Sequence, residues 1–166
     1  MDLAKYRPCV GILLLNKEGL VFLGRRRQRK SEQLVPGHEW QMPQGGIGQG
    51  EDPLAAARRE LWEETNITST RFLGEAPEWY CYDVPAQVAD RTWRSKYVGQ
   101  RQKWFALGFE GAASEIDVET PAGDGHPEFD AWRWERMDRL PDLVVPFKRQ
   151  VYEKVVAAFS HLVKAA

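Results

Sequence analysis

Apolar and polar positions along the chain predict a series of short strands and two amphipathic helices. The continuous apolar run at residues 10–15 predicts a buried strand, because short apolar segments bounded by turn residues are typical of such strands. The turn sequence Asn-Lys-Glu-Gly at 16–19 leads into strand-forming residues at 20–24. We therefore expect a hairpin near the start of the chain.

Four later segments also carry residues that favour strands, at 71–75, 78–84, 102–109 and 128–134. Residues 28–39 are polar and contain a Pro-Gly pair, which predicts a surface loop. Residues 85–99 are expected to be irregular. Residues 111–127 mix glycine, alanine, proline and acids, and we expect an exposed excursion there.

A helix is predicted from Pro53 to Thr65. Asp52 can accept hydrogen bonds from the free amides of a first helical turn, and proline suits the next position because its φ is already helical. Asn66 tolerates the left-handed conformation that ends many helices, and β-branched residues follow it. The helix should therefore be about three turns long.

A second helix is predicted near the C-terminus, beginning at Pro146. Its apolar stripe consists of Phe147, Val151, Tyr152, Val155, Val156, Phe159 and Val163. A stripe of this kind predicts that the helix packs on the sheet.

Three glutamates of the first predicted helix, Glu60, Glu63 and Glu64, share one sector of its surface. Only Glu63 has a cation at helical spacing, Arg59. Like charges this close oppose folding, and a hard divalent cation such as Mg²⁺ would neutralise them through oxygen ligands. A solvated acidic face is the common interpretation of an arbitrary glutamate triplet. Here, however, the glycine-rich turn at 45–50 leads directly into the helix, which favours a phosphate-processing metal site.

Composition limits the classes of partner. With 166 residues and 43% hydrophobic content, the chain has the size of one domain and can fill a core. It carries 23 basic and 24 acidic residues, so any anionic partner must be bound by a local patch. The apolar runs are too short to span a bilayer and the first residues lack the layout of a signal peptide. We expect a cytoplasmic protein with no membrane partner, and no segment indicates a protein partner.

Cysteines and histidines add no obvious chemistry. Cys9 and Cys81 lack metal-ligand spacing and are expected to be reduced. His38, His126 and His161 are isolated, and we assign them to the surface without a catalytic role. No nucleophilic serine or cysteine arrangement is evident, so water is the expected nucleophile.

The segment 45–67 resembles the Nudix box, the signature of the Nudix hydrolases, which cleave nucleoside diphosphates linked to another group. The matching positions are Gly45, Glu51, Arg59, Glu60, Leu61, Glu63, Glu64 and Ile67. The box usually has glycine where this chain has Asn66, and asparagine tolerates the same backbone conformation. The resemblance extends from Tyr6 to about Phe159. It implies an α/β fold, the Nudix α/β/α sandwich with a mixed β-sheet between helices, in a single domain over residues 1–166.

The resemblance also implies a metal site and catalytic roles. In such a site Glu60, Glu63 and Glu64 hold two or more Mg²⁺ ions, with Mn²⁺ or another divalent cation as alternatives. A carbonyl of Gly45 or Gly46 is implied as an additional ligand. Bound cations of this kind neutralise charge on a polyphosphate and lower the pKa of an attacking water.

Three further residues receive roles from the same resemblance. Glu128 is implied as an additional metal ligand or general base, and the alternative is an ordinary loop acid. Either Glu64 or Glu128 accepts the proton of the attacking water. Glu51 and Arg59 are implied to pair with each other and to hold the glycine turn against the helix.

A narrower resemblance is to the Nudix subgroup that acts on RNA 5′ ends and dinucleoside polyphosphates. Its Tyr-Arg-Pro start and its arginine pair after the second strand match Arg7, Arg25 and Arg26, whose guanidinium groups suit polyphosphate oxygens. Its Gly-Gln-x-Gln-Lys-Trp-Phe segment makes Lys103 a candidate phosphate contact, and its Phe-Lys-Arg segment makes Phe147 a candidate for stacking on a nucleobase. The alternatives are a solvated basic loop, a solvent-facing lysine and a core phenylalanine.

These resemblances predict a Mg²⁺-dependent pyrophosphohydrolase that removes pyrophosphate from the 5′-triphosphate end of RNA, a reaction of mRNA decay. The alternative substrate is diadenosine tetraphosphate or a related dinucleotide, cut asymmetrically. A third hypothesis is a module that binds nucleotides or RNA ends without cleaving them. The retention of all the box glutamates argues against this last hypothesis.

Overall fold

The sheet is built on a long central strand that begins at Tyr6. The computed structural model describes residues 2–28, 35–123 and 126–164. Its strands are β1 (Tyr6–Leu15), β2 (Val21–Arg26), β3 (Trp40–Gln41), β4 (Gln44–Gly46), β5 (Thr70–Glu75), β6 (Tyr80–Asp83), β7 (Gly99–Phe109) and β8 (Phe129–Glu135). Its helices are α1 (Pro53–Thr65), α2 (Arg91–Arg94), α3 (Leu140–Leu143) and α4 (Arg149–Lys164).

The sheet mixes parallel and antiparallel pairs. β1 runs parallel to β7, from the pair Tyr6 and Gly99 to the pair Leu15 and Gly108. The predicted hairpin is present, and β2 continues from it to pair antiparallel with β3 and β8. β4 pairs antiparallel with the first half of β1, and β5 and β6 pair antiparallel with β7. Since β2 pairs with β1 only near the hairpin, β4 can take its place beside the first half of β1.

Alternating side chains of the two central strands create two apolar cores. The core on the α1 side includes Val10, Ile12, Leu14, Ala56, Ala57 and Leu61. The core on the α4 side includes Leu13, Leu15, Trp104, Val151, Tyr152, Val155 and Phe159. Because successive residues of a strand face opposite sides of a sheet, a strand covered by helices on both sides is apolar throughout. The α/β/α layering predicted from the resemblance is therefore confirmed.

Helix α1 has the predicted limits and the predicted ends. The Asp52 carboxylate accepts a hydrogen bond from the Ala55 amide at 3.1 Å. Asn66 closes the helix in the left-handed region with φ of 68°, so asparagine does replace the usual glycine there. These local signals fix where the acidic sector of the helix lies along the chain.

Three predictions about element limits were wrong. β1 begins at Tyr6, four residues before the apolar run, because residues 6–9 pair with β7 even though they are mostly polar. Residues 85–99 contain the short helix α2 and the first residue of β7. The excursion at 111–127 is not fully exposed, because Ile116 and Val118 are buried in the core on the α1 side.

Two further predictions concern the polar loop at 28–39 and the C-terminal helix. Residues 29–34 of that loop lie outside the described residues. The C-terminal helix packs on the sheet as predicted, but a separate 3₁₀ turn, Pro146–Lys148, precedes α4 and contains Phe147. Within the described ranges, we find no helix that combines the length and the apolar character needed to cross a membrane.

Candidate active site

The glycine turn before α1 places two charged side chains against bare backbone. A side chain at Gly45 would overlap the carboxyl group of Glu60, and one at Gly46 would overlap the guanidinium of Arg7. Both glycines lie in β4, opposite the first half of β1, which carries Arg7. Because glycine has no side chain, Glu60 from the helix and the Arg7 cation from the sheet can both approach the backbone of this turn.

Arg59 binds the turn to the helix. Its Nε and Nη2 atoms donate to the two oxygens of Glu51 at 2.8 and 3.0 Å, and Nη2 also donates to the Gly46 carbonyl at 2.9 Å. Its Nη1 atom donates to Glu60 at 2.9 Å and to Glu63 at 3.1 Å. The prediction that only Glu63 would have a cationic partner was wrong, because the forked guanidinium also reaches the adjacent glutamate.

Glu51 is held firmly in its charged form. In addition to Arg59, the Gly48 amide donates to its carboxylate at 2.8 Å. The hydrogen bonds from Arg59 and from Gly48 lower the pKa of Glu51 to about 2. The same contacts with Glu51 raise the pKa of the Arg59 guanidinium. In the structure, the Glu51 and Arg59 side chains connect α1 to the glycine turn through Gly46 and Gly48.

The acidic sector of α1 opens on a cavity of about 240 Å³. The cavity is lined by Glu60, Glu63, Glu64, Pro121, Gly123, His126 and Glu128. Four carboxylates from two parts of the chain therefore line one opening. His126, which we assigned to the surface, is indeed exposed, but it lies at this opening together with the end of the 111–127 segment.

Glu64 lies in an environment that is unfavourable for its charge. Its Oε2 atom is enclosed and has no hydrogen-bond partner among the described residues, and the backbone of Gln44 only partly offsets the resulting rise in its pKa. Burial, together with the nearby charges of Glu128 and Glu60, raises the pKa of Glu64 well above its usual value. Burial also raises the pKa of Glu60, despite the hydrogen bond from Arg59.

The donor set fits a hard divalent cation. A buried carboxylate oxygen without a partner, beside three further carboxylates, is the environment in which such an ion binds. As the side chains lie, no three acids, histidines or cysteines of the described residues already form a closed cation site. Arg59 explains this arrangement, because it holds Glu60, Glu63 and the Gly46 carbonyl. An ion that bound Glu60, Glu63 or the Gly46 carbonyl would share these groups with Arg59.

The predicted substrate-binding arginines lie at different distances from this cavity. Arg7 rests on Gly46 and acts electrostatically on Glu60, so it lies beside the acids. The Nε atom of Arg25 is instead ion-paired with Asp130 at 2.7 Å. Arg26 lies close enough to the hydroxyls of Tyr82 and Tyr152 to lower their pKa values, against the larger upward effect of burial. It thus belongs to the α4 side of the sheet.

Lys103 is not brought to the acidic cavity. Its Nζ atom donates to the Ala76 carbonyl at 2.5 Å and lies 3.4 Å from Glu75. The side chain is mostly buried, and it is not among the residues that line the cavity. In this structure the ammonium group therefore links β7 to the residue that follows β5. The Lys103 side chain is thus not solvent-facing either.

Phe147 lies on the α4 side, half-buried, with its ring centroid 5.8 Å from that of Tyr82. The residue after it is more deeply placed: Lys148 is only 7% exposed, and its Nζ atom donates to Gln41 at 3.3 Å. The charge of Lys148 acts on Glu64 and offsets part of the rise in its pKa. Sequence reasoning missed Lys148 as a site residue, although the matching Phe-Lys-Arg segment contained it.

A larger cavity, of about 440 Å³, lies at the hairpin end of β1. Apolar side chains such as Leu73 and Leu162 line it, together with Lys17, Arg71 and Glu110. Charges of opposite sign are mixed there, whereas the smaller cavity concentrates four carboxylates. The chemistry of the side chains, and not the volume, marks the acidic cavity as the candidate active site.

Comparisons with known proteins agree with this geometry. A family model described as NUDIX domain matches residues 5–155. An RNA pyrophosphohydrolase of Rhodopseudomonas palustris (strain BisB18) is 56% identical over 161 residues, covering 97% of this chain and 91% of the relative. An RNA pyrophosphohydrolase of Rhizobium meliloti (strain 1021) is 55% identical over 160 residues, covering 96% of each.

Solved structures are more distant and show the fold alone. The E. coli dihydroneopterin triphosphate pyrophosphohydrolase is 19% identical with a TM-score of 0.61, over 92% of this chain and 97% of the other. A C. elegans Ap4A hydrolase in a binary complex is 16% identical with a TM-score of 0.58, over 92% of this chain and 98% of the other. Both share the layered arrangement described above.

Proposed function

Because this chain belongs to the Nudix hydrolase family, we propose that it removes pyrophosphate from the triphosphorylated 5′ end of RNA and leaves a 5′-monophosphate. The observation that carries the proposal is the cavity lined by four carboxylates, one of which, Glu60, lies against Gly45, next to Gly46 and the Arg7 guanidinium. A polyphosphate needs both cations and guanidinium groups, and this turn can supply both. The relatives at about 55% identity, which share almost the full length, support RNA as the substrate.

The metal we propose is Mg²⁺, since Nudix hydrolases generally use divalent cations and the donor set here is all oxygen. Glu60, Glu63 and Glu64 would hold it, with Glu128 and a carbonyl of Gly45 or Gly46. When bound, the cation supplies charge neutralisation on the polyphosphate and lowers the pKa of the attacking water. The raised pKa of Glu64 reflects the cost of its charge before such an ion is present.

Protein groups carry the remaining roles in the proposal. Either Glu64 or Glu128 accepts the proton of the attacking water, because both are acids at the cavity. Arg7 and Arg26 bind phosphate oxygens, and Arg25 can join them if it exchanges Asp130 for a phosphate. Phe147 stacks on a nucleobase from the α4 side. Lys103 is the weakest member of the proposed set, because its ammonium group already has two oxygen partners.

The proposal includes the setting of the enzyme. One Nudix domain spans residues 1–166, and the enzyme works in the cytoplasm, where RNA 5′ ends and dinucleotides occur. The partner that we propose is the substrate, an RNA 5′ end or a dinucleoside polyphosphate. Since the chain as a whole is close to electrically neutral, with a formal charge of -1, binding depends on the local charges just described.

The decisive experiment incubates the purified protein and Mg²⁺ with RNA carrying a labelled 5′-triphosphate, and in parallel with diadenosine tetraphosphate. We expect release of pyrophosphate from RNA at a rate more than about tenfold above dinucleotide cleavage, a difference of about 1.4 kcal/mol in barrier. Faster cleavage of the dinucleotide would assign the alternative substrate instead. Binding without turnover of either substrate would make the protein a binding module.

A variant pair links that activity to the acidic cavity. Glu63→Gln should lower turnover by several orders of magnitude, about a thousandfold or more, because a metal ligand is lost. Glu18→Gln, an exposed glutamate in the hairpin turn, removes the same charge and should leave turnover unchanged. Equal turnover in the two variants would contradict the proposed site.

A further inference from the structure

The segment from Val84 to Val98 is anchored beside the candidate active site. The Val98 amide donates to the Lys5 carbonyl at 2.8 Å, and the Val84 amide donates to the Val98 carbonyl at 3.0 Å. These bonds close the base of the segment where β1 begins, one residue before Arg7. Residues 84–98 therefore leave the sheet at the end that carries the acidic cavity.

Close packing and a hydrogen bond hold this base together. A side chain at Gly99 would collide with the backbone carbonyl of Tyr82, so β6 and β7 approach closely there. Tyr6 and Gly99 are partners in the parallel ladder, and the Tyr6 hydroxyl donates to Asp83 at 2.6 Å. The base of the segment is thus fixed with respect to Arg7.

The segment is cationic on its exposed side. Arg91, Arg94 and Lys96 are exposed, and none of them forms a salt bridge with another described residue. Asp90 is the only acid between 84 and 98, and its side chain is engaged by the Trp93 amide at 2.7 Å. In a chain whose formal charge is -1, this is a local concentration of positive charge.

Aromatic side chains accompany these cations. Trp93 and Tyr97 pack together with ring centroids 5.5 Å apart. Trp79, just before β6, is 38% exposed, and the guanidinium of Arg101 lies 5.0 Å from its ring centroid. The Nε atom of Arg101 is buried without a hydrogen-bond partner among the described residues. An exposed tryptophan beside an incompletely paired arginine can receive a flat, anionic ligand.

We propose that residues 84–98, together with Trp79 and Arg101, bind the single-stranded RNA that follows the reacting 5′ end. Exposed cations match its phosphates, and aromatic rings can stack on bases that are not paired in a duplex. This inference rests on the proposed RNA substrate and extends it, because it assigns a place to the nucleotides that do not react. We call residues 84–98 with Trp79 and Arg101 the RNA-tail surface.

The test measures binding of a labelled single-stranded RNA of about twelve nucleotides with a 5′-hydroxyl end, long enough to reach beyond the cavity. This probe has no triphosphate, so the result does not depend on catalysis. The variant is Arg91→Gln, Arg94→Gln and Lys96→Gln combined. Its matched control combines Lys17→Gln, Arg71→Gln and Arg136→Gln, which removes the same charge from exposed residues elsewhere.

We expect the Arg91, Arg94 and Lys96 variant to bind the probe at least about tenfold more weakly, and its slope of log affinity against log salt to fall by about 2, because about 0.7 is lost per phosphate contact on a single strand. The control should stay within about twofold of wild type. An equal loss in the control, or no loss in the variant, would overturn the proposal.

A second variant examines stacking. Trp79→Ala should weaken binding by about fivefold or more while keeping the salt slope, since a ring and not a charge is removed. Thermal unfolding checks that each variant is folded. Equal affinity for a duplex of the same length would also overturn the single-strand assignment. Loss of pyrophosphate release in the wild type, with RNA binding intact, would instead contradict only the proposed function.

Discussion

Two glutamates of the Nudix box, Glu51 and Glu64, differ in their hydrogen-bond partners and in the direction of their pKa shifts. Glu51, in the turn before α1, accepts hydrogen bonds from Arg59 and from the Gly48 amide, and its pKa falls to about 2. Glu64, in the last turn of α1, has an enclosed oxygen without a partner among the described residues, and its pKa rises well above the usual value. The protein itself supplies the partners that stabilise the charge of Glu51, whereas it leaves the charge of Glu64 unfavourable.

The difference teaches what distinguishes an acid that holds the structure from one that we propose to be catalytic. Both residues belong to one motif and carry the same charge, so neither composition nor spacing separates them. What separates them is whether the protein supplies the partner. Arg59 supplies one for Glu51 and also donates to Glu60 and Glu63, whereas its hydrogen bonds within the described residues do not include Glu64. The cost concentrated at Glu64 is typical of active sites, which are less stable than the protein could make them.

The largest effect expected from this comparison is that of Glu64→Gln. Turnover should fall about a thousandfold or more, because a cation ligand and a candidate general base are lost together. In metal-free buffer, however, the variant should melt about 2 °C higher than wild type, since an unpaired buried charge is removed. Kinetics with Mg²⁺ and thermal unfolding with a chelator measure the two effects.

The effect of Mg²⁺ on the melting temperature gives a second comparison between Glu64→Gln and the wild type. Adding Mg²⁺ should raise the melting temperature of the wild type and should raise that of Glu64→Gln much less, because a ligand that binds the folded state stabilises it by mass action. Glu18→Gln serves as the matched control and should follow the wild type. A lower melting temperature of metal-free Glu64→Gln would show that Glu64 is a satisfied structural acid.

Substitution of Arg59 is expected to have the second largest effect, because Arg59 contacts both Glu51 and the acidic sector of α1. Arg59→Gln should lower the free energy of unfolding by about 2 kcal/mol, since Glu51 loses its main partner and two other half-buried acids lose theirs. Arg59→Lys should recover little of this loss, because an ammonium group cannot make the parallel bonds of the fork. Urea unfolding at neutral pH measures both, and full recovery by lysine would contradict the role of the fork.

Local signals made much of this structure predictable from sequence. Asp52 and Asn66 fix the ends of α1 because a cap acts on its own helix, and the spacing of the glutamates alone places them in one sector. Long-range pairing is where sequence reasoning failed. The strand limits at Tyr6 depend on the partner strand β7, and the site of Lys103 depends on the Ala76 carbonyl at the end of β5.

The contrast between local signals, which sequence reveals, and long-range packing, which it does not, also applies within the candidate site. Lys148 lies far along the chain from the box, and only the packing of the turn before α4 against β3 brings its ammonium group to Gln41 and near Glu64. The reach of Arg59 to Glu60 was also missed, since periodicity treats a side chain as a point on a helix and ignores the fork at its end. Neither fact has a signature in spacing alone.

Gly45→Ala should have a moderate effect confined to the acidic end. A methyl group there would occupy the position of the Glu60 carboxyl, which is the flexible end of a side chain and can move aside. We therefore expect little change in melting temperature but about a tenfold loss in Mg²⁺ affinity, as is common when the orientation of a metal ligand is disturbed. Calorimetric titration with Mg²⁺ measures the affinity, and Gly74→Ala, at a glycine of β5 where an added methyl group would meet no neighbouring atom, is the comparison variant. An unchanged affinity in Gly45→Ala would indicate that Glu60 does not bind the ion.

The smallest effect, and the one that separates the two glutamates most sharply, is that of Glu51→Gln. At neutral pH it should lower the free energy of unfolding by about 1 kcal/mol, because a charged acceptor of three hydrogen bonds becomes a neutral one and the site is partly exposed. The folded-state pKa of Glu51 lies below its ordinary value, so this stabilisation is present above the ordinary pKa and is lost as the pH falls toward about 2. The wild type and the variant should therefore differ above about pH 5 and converge as the pH falls below it, as measured by urea unfolding across that range. A difference that persists unchanged down to about pH 3 would mean that Glu51 stabilises the turn by its shape rather than by its charge.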